Sequence, residues 1–291
     1  MSMLLNNVYI EDTYAESWKL EVVRLVITAV SSDIAMDAAQ QFTGAAGSSE
    51  LGSKINGGIE RNALPQETPD NRPGVIIAMT MPPHMRDQFL EELALRYHLA
   101  TLIPTITIFD CMLSGLENVE KFRINSLLEE NWQGVNSFRN ESGRDICIVP
   151  TTTGFFKYET EVSISTSGVD GHFVCYAENE VSAVIAIKAA KDAFEGIDGV
   201  SPMGFGLEQI YKLHQYCPEL RNRVDETKVP EGVGSILNIL FFGVSEDLVA
   251  IAIKQGIEAA VRVPGVIQIG AMNFGGNFGP HKFYLQKLFK V

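Results

Sequence analysis

From residue 236 the chain reads Ile236-Leu-Asn-Ile-Leu-Phe-Phe242, and this run is followed by Ser245-Glu-Asp247 and a helical spacing of apolar residues from Leu248 to Val263. A short apolar run bounded by turn residues is typical of a buried strand. The Ser245 hydroxyl can accept a hydrogen bond from the first helical turn, and the two acidic residues favour the positive end of the helix. Pro264-Gly265 marks where the helix ends. The stretch therefore predicts a strand, a capped helix and a turn.

Two earlier stretches share this order of apolar run, capping residue and helical spacing. They extend from Arg24 to Phe42 and from Phe173 to Phe194, with Ser31-Ser32-Asp33 and Asn179-Glu180 as the polar stretches that cap the helices. The same reasoning predicts strands at Asn7–Ile10, Pro73–Ala78, Pro104–Asp110 and Val266–Ile269, and a helix at Met85–Leu102.

Strand–helix–strand groups occur in both halves of the chain. Such grouping is typical of α+β folds in which helices cover one face of a mostly antiparallel sheet. Between Gly115 and Arg144 the alternation of apolar and polar residues weakens, and charged residues and Asn accumulate. We therefore expect two α+β lobes with antiparallel sheets and helices packed on them, formed by residues 1–143 and residues 144–291.

Composition limits the classes of partner. The chain has 36 acidic and 23 basic side chains and a formal charge of -13, which disfavours nucleic-acid binding because that binding depends on Lys and Arg. No segment reaches the roughly 20 apolar residues that a membrane-spanning helix needs. Residues 1–12 lack the basic start, apolar run and cleavage site of a secretory signal. We therefore expect a cytoplasmic protein that binds neither nucleic acid nor membrane.

Histidine and cysteine spacing does not predict a metal site. The five histidines show no H-x-x-x-H or H-E-x-x-H motif, and the closest cysteines, Cys147 and Cys175, are 28 residues apart. We therefore expect no metal, and we expect reduced, mostly buried thiols.

Two polar motifs are candidates for chemistry. Glu11-Asp12-Thr13 follows a predicted strand, and its paired carboxylates could perform acid–base work; alternatively, Asp12 or Thr13 caps a short helix through Ala15-Glu16. The segment from Met272 to Pro280 contains Gly275-Gly276, and glycines allow backbone N–H groups to approach a ligand closely. The alternative for this segment is a hairpin or a turn that closes a lobe.

Eight blocks in order resemble the formylmethanofuran:tetrahydromethanopterin formyltransferase family. They extend from residue 7 to residue 279, at separations like those of the family. The blocks are residues 7–16, 24–29, 57–61, 68–74, 104–110, 223–230, 258–266 and 273–279.

The resemblance implies a fold, an activity and a set of site residues. It implies two ferredoxin-like lobes, a homo-oligomer (tetramer or dimer), no metal and no tightly bound cofactor, since tetrahydromethanopterin and methanofuran are substrates. The reaction is formyl transfer between these small one-carbon carriers. The positions that match family motifs, and are therefore candidates for substrate binding, are Glu11, Asp12, Thr13, Glu60, Arg72, Thr105, Asp110, Gly275 and Gly276.

The chain also departs from the family pattern. The family has a glutamate beside the formyl group on the strand that contains Asn238 here, and Asn238 is therefore the candidate catalytic residue. An amide can donate a hydrogen bond to an oxyanion, but it cannot release or accept a proton in the working pH range. The segment 202–209 is shorter than its family counterpart and lacks its basic and hydroxyl groups. Ile103 and Ile106 replace a family cysteine and threonine.

Three functional hypotheses follow from these departures. The first is an active formyltransferase that uses Asn238 as an oxyanion donor. The second is a non-catalytic formyltransferase-like paralogue that acts as a binding or assembly subunit. The third is a one-carbon-transfer enzyme with an altered substrate.

Overall fold

The structure is a computed structural model, and it describes residues 3–47, 52–128, 132, 134–203 and 214–290. Of the segment 202–209, residues 204–209 lie outside this part of the chain. The chain divides into two compact units: unit 1 is Met1–Lys19 with Val169–Val291, and unit 2 is Leu20–Gly168.

The strands and helices alternate along the chain, as expected for an α+β protein. The strands are β1 (Met3–Leu5), β2 (Val8–Ile10), β3 (Tyr14–Ser17), β4 (Lys19–Thr28), β5 (Asn56–Ala63), β6 (Gly74–Met81), β7 (Thr107–Asp110), β8 (Val119–Phe122), β9 (Ser137–Glu141), β10 (Arg144–Thr151), β11 (Gly154–Glu159), β12 (Val162–Ala177), β13 (Val200–Pro202), β14 (Ser235–Gly243), β15 (Val266–Gly270) and β16 (His281–Tyr284). The α-helices are α1 (Ser32–Thr43), α2 (Arg86–Ala100), α3 (Asn125–Leu128), α4 (Glu180–Phe194) and α5 (Glu246–Ala260).

Unit 1 has a sheet with helices on one face. Its strands pair in the order β1-β2-β15-β12-β14-β13; β2 and β15 are parallel, and the other pairs are antiparallel. β3 and β16 form a separate antiparallel pair. Alternate side chains of β12 and β14, including Phe173 and Ile239, pack with α4 and α5 in one apolar core that contains Ile187 and Ile257. The other face of this sheet is therefore free of α4 and α5.

Unit 2 repeats the combination of sheet and helices. β4 lies between β6 and β7, β5 pairs with β6, and β11 pairs in parallel with β7 and antiparallel with β10. Phe42 of α1 and Tyr97 of α2 pack with Leu25, Ile77 and other buried residues of the sheet in one core. Fully burying each of these large side chains contributes about 1.5–3 kcal/mol relative to leaving it exposed.

The three predicted capped helices are confirmed. The side chains of Ser31, Asn179 and Ser245 accept hydrogen bonds from the backbone N–H three residues later, at the starts of α1, α4 and α5. The predicted short helix through Ala15-Glu16 is wrong, since these residues lie in β3 and pair with Lys282 and Phe283 of β16. This pairing joins distant segments, which local sequence does not reveal.

The α+β class is confirmed, and the sheets are mostly antiparallel, as expected, with parallel pairs at β2–β15 and β7–β11. The division of the chain differs from the prediction, since it falls at residues 19/20 and 168/169 and not at 143/144. One physical reason is that β9, β10 and β11 pair successively onto β7, which keeps residues 137–159 with the N-terminal half. Another is that β2 pairs with β15, which attaches the first residues to the C-terminal half.

Two further observations concern the described residues. None of their helices is long and apolar enough to cross a membrane. All four cysteines are free thiols, and three of them are buried.

Candidate functional site

The candidate site begins with a row of residues on the helix-free face of the sheet in unit 1. Asn238 of β14 pairs with Val174 of β12, and Val174 pairs with Gly270 of β15. Side chains alternate between faces along a strand, and Leu237 and Ile239 belong to the core with α4 and α5. Asn238 therefore points to the opposite face.

Asn238 is buried without satisfying its amide. Asn238 is only 2% exposed, and neither Oδ1 nor Nδ2 of its side chain has a hydrogen-bond partner among the described residues. A buried polar group without a partner costs about 1–3 kcal/mol, so such groups are rare and call for a specific explanation. A ligand that presents both a donor and an acceptor would satisfy this amide.

A carboxylate lies over β15, two strands from Asn238 in the order of the sheet. The Glu11 N–H donates to the Ile269 carbonyl (3.0 Å), and a Cβ placed on Gly270 would lie 2.4 Å from Glu11 Oε2. The Glu11 carboxylate thus occupies the space that glycine leaves at position 270. Burial raises the pKa of Glu11, and a hydrogen bond with the Gln268 side chain opposes part of that rise.

Tyr176 adds a phenol to this face. It pairs with Gln268 and lies two residues along β12 from Val174. Burial, followed by the nearby Glu11 carboxylate and Tyr216, raises the pKa of Tyr176 well above its ordinary value of 10. The phenol therefore stays protonated at neutral pH and can donate a hydrogen bond.

The glycine-rich loop between β15 and β16 is organised around Glu16. Glu16 Oε2 accepts from the N–H groups of Phe274 (2.6 Å) and Gly276 (2.9 Å), and Oε1 accepts from those of Phe278 (2.6 Å) and Gly279 (2.8 Å). Burial would raise the pKa of Glu16, but the four backbone donors outweigh it and lower the pKa to about 2. The loop therefore encloses an anion that the chain itself supplies.

The four N–H groups around Glu16 change the interpretation of the two predicted loop glycines. The N–H of Gly276 already donates to Glu16, so it is committed within the protein. Gly276 has φ +73°, and a Cβ there would lie 2.5 Å from Lys282 Nζ and 3.0 Å from Tyr14 Oη. Gly275 is exposed and also has a positive φ. The glycines thus shape the loop around Glu16, in line with the turn alternative.

Two more side chains fix this loop. Thr13 Oγ1 accepts from Asn273 Nδ2 (3.0 Å), whereas Asp12 is exposed. His172 Nε2 lies 3.2 Å from Met272 N and 3.0 Å from Met272 O. Burial lowers the pKa of His172 to about 4, and the Met272 backbone and Glu16 only partly oppose this. The imidazole is therefore neutral at physiological pH.

The other predicted site residues lie in unit 2, and all of them have partners inside the protein. Glu60 is buried and forms a fork with Arg24, at 2.9 Å to Nε and 2.6 Å to Nη2. Asp110 accepts hydrogen bonds from Ser163 and Lys121. Removing one partner of a buried ion pair such as Glu60–Arg24 is strongly destabilising, so Glu60 has a structural role in the fold.

Arg72 and Thr105 form one network. The Arg72 guanidinium donates to Asp70 Oδ2 (2.8 Å), Thr28 Oγ1 (3.0 Å), Thr107 Oγ1 (2.7 Å) and the Thr105 carbonyl (2.6 Å). Thr105 has φ +69°, which is a strained conformation for a β-branched residue. Arg72 therefore holds a strained turn in place, and its guanidinium donates on three sides to the protein.

The predicted residues thus divide between the two units. Unit 1 contains Glu11, Asp12, Thr13, Asn238, Gly275 and Gly276, and unit 2 contains Glu60, Arg72, Thr105 and Asp110. Sequence analysis missed Glu16, His172, Tyr176 and Gln268. The period of two along β12 places His172 and Tyr176 on one face, but strand register, which brings Gln268 opposite Tyr176, is not readable from the sequence. No group of three or more metal-ligating side chains occurs among the residues that the structure describes.

Comparison with known proteins identifies the family. The model of the formylmethanofuran-tetrahydromethanopterin formyltransferase family matches residues 3–151, and the model described as "FTR, proximal lobe" matches residues 211–288. The chain is 34% identical over 303 residues to the formylmethanofuran–tetrahydromethanopterin formyltransferase of Methanothermobacter thermautotrophicus, with 99% of this chain and 100% of the relative covered. It is 35% identical over 307 residues to the enzyme of that name from Methanocaldococcus jannaschii, with the same coverage.

Two solved structures are similar to the chain. The formylmethanofuran:tetrahydromethanopterin formyltransferase from Methanosarcina barkeri matches with a TM-score of 0.88 and 32% identity, and 99% of this chain and 100% of that chain are covered. The formyltransferase/hydrolase complex from Methylorubrum extorquens, solved with methylofuran, matches with a TM-score of 0.83 and 25% identity, over 100% and 99% of the two chains. The chain therefore belongs to the formylmethanofuran–tetrahydromethanopterin formyltransferase family.

Proposed function

We propose that this chain is a formyltransferase that moves a formyl group between formylmethanofuran and tetrahydromethanopterin. The observation that carries the proposal is the identity of 34% over 99% of the chain to an enzyme with that name. The two carriers act as substrates, and no tightly bound cofactor is required.

The reaction sets clear chemical demands. The acceptor nitrogen attacks the formyl carbon, and a tetrahedral intermediate forms with negative charge on the former carbonyl oxygen. The bond from carbon to the donor nitrogen then breaks, one proton leaves the acceptor nitrogen, and one proton reaches the departing amine. A hydrogen-bond donor aimed at the oxyanion typically accelerates such a step by about 10²–10³-fold.

Asn238 is the proposed catalytic residue. Its buried Nδ2 has no other partner among the described residues and is available to donate to the oxyanion. Its Oδ1 is available to accept from a substrate N–H group, so one amide can align both reacting groups. We further propose that Glu11, Asp12, Thr13, Gly275 and Gly276 contribute to substrate binding in unit 1, and that Glu60, Arg72, Thr105 and Asp110 do so in unit 2. Gly276 and the four residues of unit 2 have partners within the protein, so their proposed contribution is to hold neighbouring groups in position.

A second candidate function is a non-catalytic paralogue that serves as a binding or assembly subunit. The observation that favours it is the amide at position 238, because an amide cannot move the protons that the reaction releases and consumes. The third candidate is a one-carbon-transfer enzyme with an altered substrate, and the amide at position 238 is also the observation that favours it.

The finer architecture is also a proposal. We propose that the two lobes are ferredoxin-like and that the chain forms a homo-oligomer, a tetramer or a dimer, in the cytoplasm. The outer side of α4 supports the oligomer, since Val181 and Ile185 are 67% and 50% exposed while the opposite side of the helix is buried. Val184, on the same side, is 43% exposed, and neighbouring exposed apolar side chains are typical of a protein–protein contact.

The decisive experiment measures formyl transfer between both carriers with purified protein. We expect turnover by the wild type and a loss of about 10²–10³-fold in kcat for Asn238→Ala. Asn222→Ala, on an exposed turn of unit 1, is the matched control and should retain full activity.

Asn238→Glu separates the first two hypotheses. An inert wild type with an active Asn238→Glu variant would support the paralogue. Inertness of both proteins with both carriers would overturn the transfer proposal.

A further inference from the structure

A cavity of about 600 Å³ lies within unit 2, beside the end of β7. Small-molecule sites typically occupy about 300–1,000 Å³, so this volume is in their range. Part of its lining, called the wall here, is apolar and consists of Met112, Leu113, Leu116 and Val119. Another part, called the floor, is charged and consists of Asp110, Lys121, Arg144 and Glu159, from β7, β8, β10 and β11. The cavity therefore combines an apolar wall with a charged floor.

The carboxylate of Asp110 on the floor is already satisfied. Asp110 Oδ1 accepts from the Ser163 N–H (3.1 Å), and Oδ2 accepts from the Ser163 hydroxyl and from Lys121 Nζ (3.0 Å). Lys121 Nζ also donates to Ser163 Oγ (2.8 Å), and its side chain is 59% exposed. An ammonium has three donors, so Lys121 keeps one for a ligand.

The second carboxylate, Glu159, is also committed. Its Oε2 accepts from the Asp110 N–H (3.0 Å) and from Arg144 Nη1 (2.5 Å). Arg144 Nη1 is shared with the Asp110 carbonyl (3.0 Å), and the guanidinium lies 5.9 Å from the centre of the Phe109 ring. These contacts hold Arg144 in one orientation at the cavity.

The charged residues of the cavity have more hydrogen-bond donors than the neighbouring acceptors use. Nε and Nη2 of Arg144 have no hydrogen-bond partner among the described residues, and the side chain is 34% exposed. A guanidinium offers five N–H donors, whereas the two carboxylates are already held by donors of the protein. The unused donors of Arg144 and Lys121 can be satisfied by an anion, and a planar carboxylate matches the guanidinium geometry best.

We propose that this cavity binds an organic carboxylate, with the carboxylate on Arg144 and Lys121 and an apolar body against Met112 and Leu116. The site is built by residues of unit 2 alone. It shares Asp110 with the residues proposed above for substrate binding, but carboxylate binding is measured here without formyl transfer, so the two proposals can fail separately. The four charged groups of its floor sum to zero, and the anion therefore binds through directed donors and not through a net positive field.

Benzoate is a suitable probe because it joins a carboxylate to an apolar ring. The chain has nine methionines, and Met112 lies in the cavity wall, so ¹³C-methyl labelling of methionine reports binding at this position. The Met112→Leu variant assigns the signal. We expect benzoate to shift the Met112 methyl resonance saturably. Benzamide and benzylamine carry the same ring without the anion, and their shifts should need concentrations at least about tenfold higher.

Variants of the floor test the direction of the charge effect. Arg144→Gln should weaken benzoate binding by at least about tenfold, whereas Glu159→Gln keeps the acceptor for Asp110 N–H, removes one negative charge and should tighten binding. Arg139→Gln, at an exposed arginine of β9, is the matched control and should bind as the wild type does. Circular dichroism checks the fold of each variant.

Three outcomes would overturn the proposal. They are equal binding of benzamide and benzoate, unchanged affinity in folded Arg144→Gln, and no Met112 shift at the highest soluble benzoate concentration. If Arg144→Gln does not fold, the Glu159→Gln variant decides: weaker or unchanged binding there also contradicts the proposal.

Discussion

Two buried polar residues of unit 1 show opposite states of hydrogen bonding. Glu16 is fully buried and accepts four backbone hydrogen bonds, whereas the amide of Asn238 has no partner among the described residues. A satisfied buried group stabilises the fold, and an unsatisfied one raises its free energy. Glu16 therefore belongs to the scaffold, and Asn238 is the residue that a ligand would complete.

The pH dependence of stability should reveal Glu16. Its pKa is about 2 in the folded chain, below its ordinary value of 4.5, so its contribution is present above pH 4.5 and is lost as the pH falls toward 2. Glu16→Gln should lower Tm by several degrees at neutral pH and should flatten this part of the profile of Tm against pH. Glu231→Gln, at an exposed glutamate, is the control. An unchanged profile in Glu16→Gln would contradict the assignment.

The sequence indicated which residues belong to the candidate site, but it did not indicate which contacts these residues make. The resemblance pointed to Asn238 and to the glycine loop, but the four donors to Glu16 come from residues more than 250 positions away. Such long-range pairs leave no local pattern. The strained φ of Thr105 was equally hidden, because only the bond from Arg72 and the neighbouring network hold it there.

At the scale of elements, helix starts were predicted correctly from the capping residues, which recur in three places along the chain. The caps at Ser31, Asn179 and Ser245 all lie where the sequence predicted them, since a capping side chain and its N–H partner are three residues apart. β3 was missed because Tyr14–Ser17 becomes a strand only by pairing with β16. Elements defined by near neighbours were thus predictable, and elements defined by distant partners were not.

The capping distances predict a difference between two helices. Asn179 Oδ1 lies 3.0 Å from the Ser182 nitrogen, whereas Ser245 Oγ lies 3.5 Å from that of Leu248. Asn179→Ala should cost about 1 kcal/mol of unfolding free energy, and Ser245→Ala should cost less. Urea unfolding at constant m value measures both. Asn179→Gly should cost only a few tenths of a kcal/mol, and equal effects of all three variants would refute the comparison.

At the scale of the whole molecule, the division of the chain is the main departure from expectation. Sequence composition placed the boundary in a polar stretch between Gly115 and Arg144, but β8, α3 and β9 lie there and belong to unit 2. Charged and polar residues indicate that a segment is exposed to solvent, but they do not distinguish a linker from an exposed edge strand such as β9. Strand pairing, and not polarity, sets the units.

Unit 1 should depend on the first strands. Val8 and Ile10 are almost fully buried, and Gln286 Nε2 donates to the Ile10 carbonyl (2.9 Å). Deleting residues 1–10 should therefore cost roughly 3–6 kcal/mol in the unfolding of unit 1, from the burial of these two side chains alone. Denaturant unfolding measures this loss. Deletion of residues 1–5, which removes the exposed Leu4 and the half-buried Met3 and Leu5, should cost much less, and equal losses would contradict the prediction.

The pairing of β3 with β16 has a consequence for how the protein is made. Residues 20–168, which form unit 2, are synthesised as one continuous segment. In contrast, β15 and β16, with which β2 and β3 pair, are synthesised more than 250 residues after them. At about 5–20 residues per second, the first strands wait roughly 15–50 s for residue 284. During that interval the apolar side chains of Val8, Ile10 and Ala15 have no native neighbours from the end of the chain. These side chains therefore need shielding until β15 and β16 have emerged.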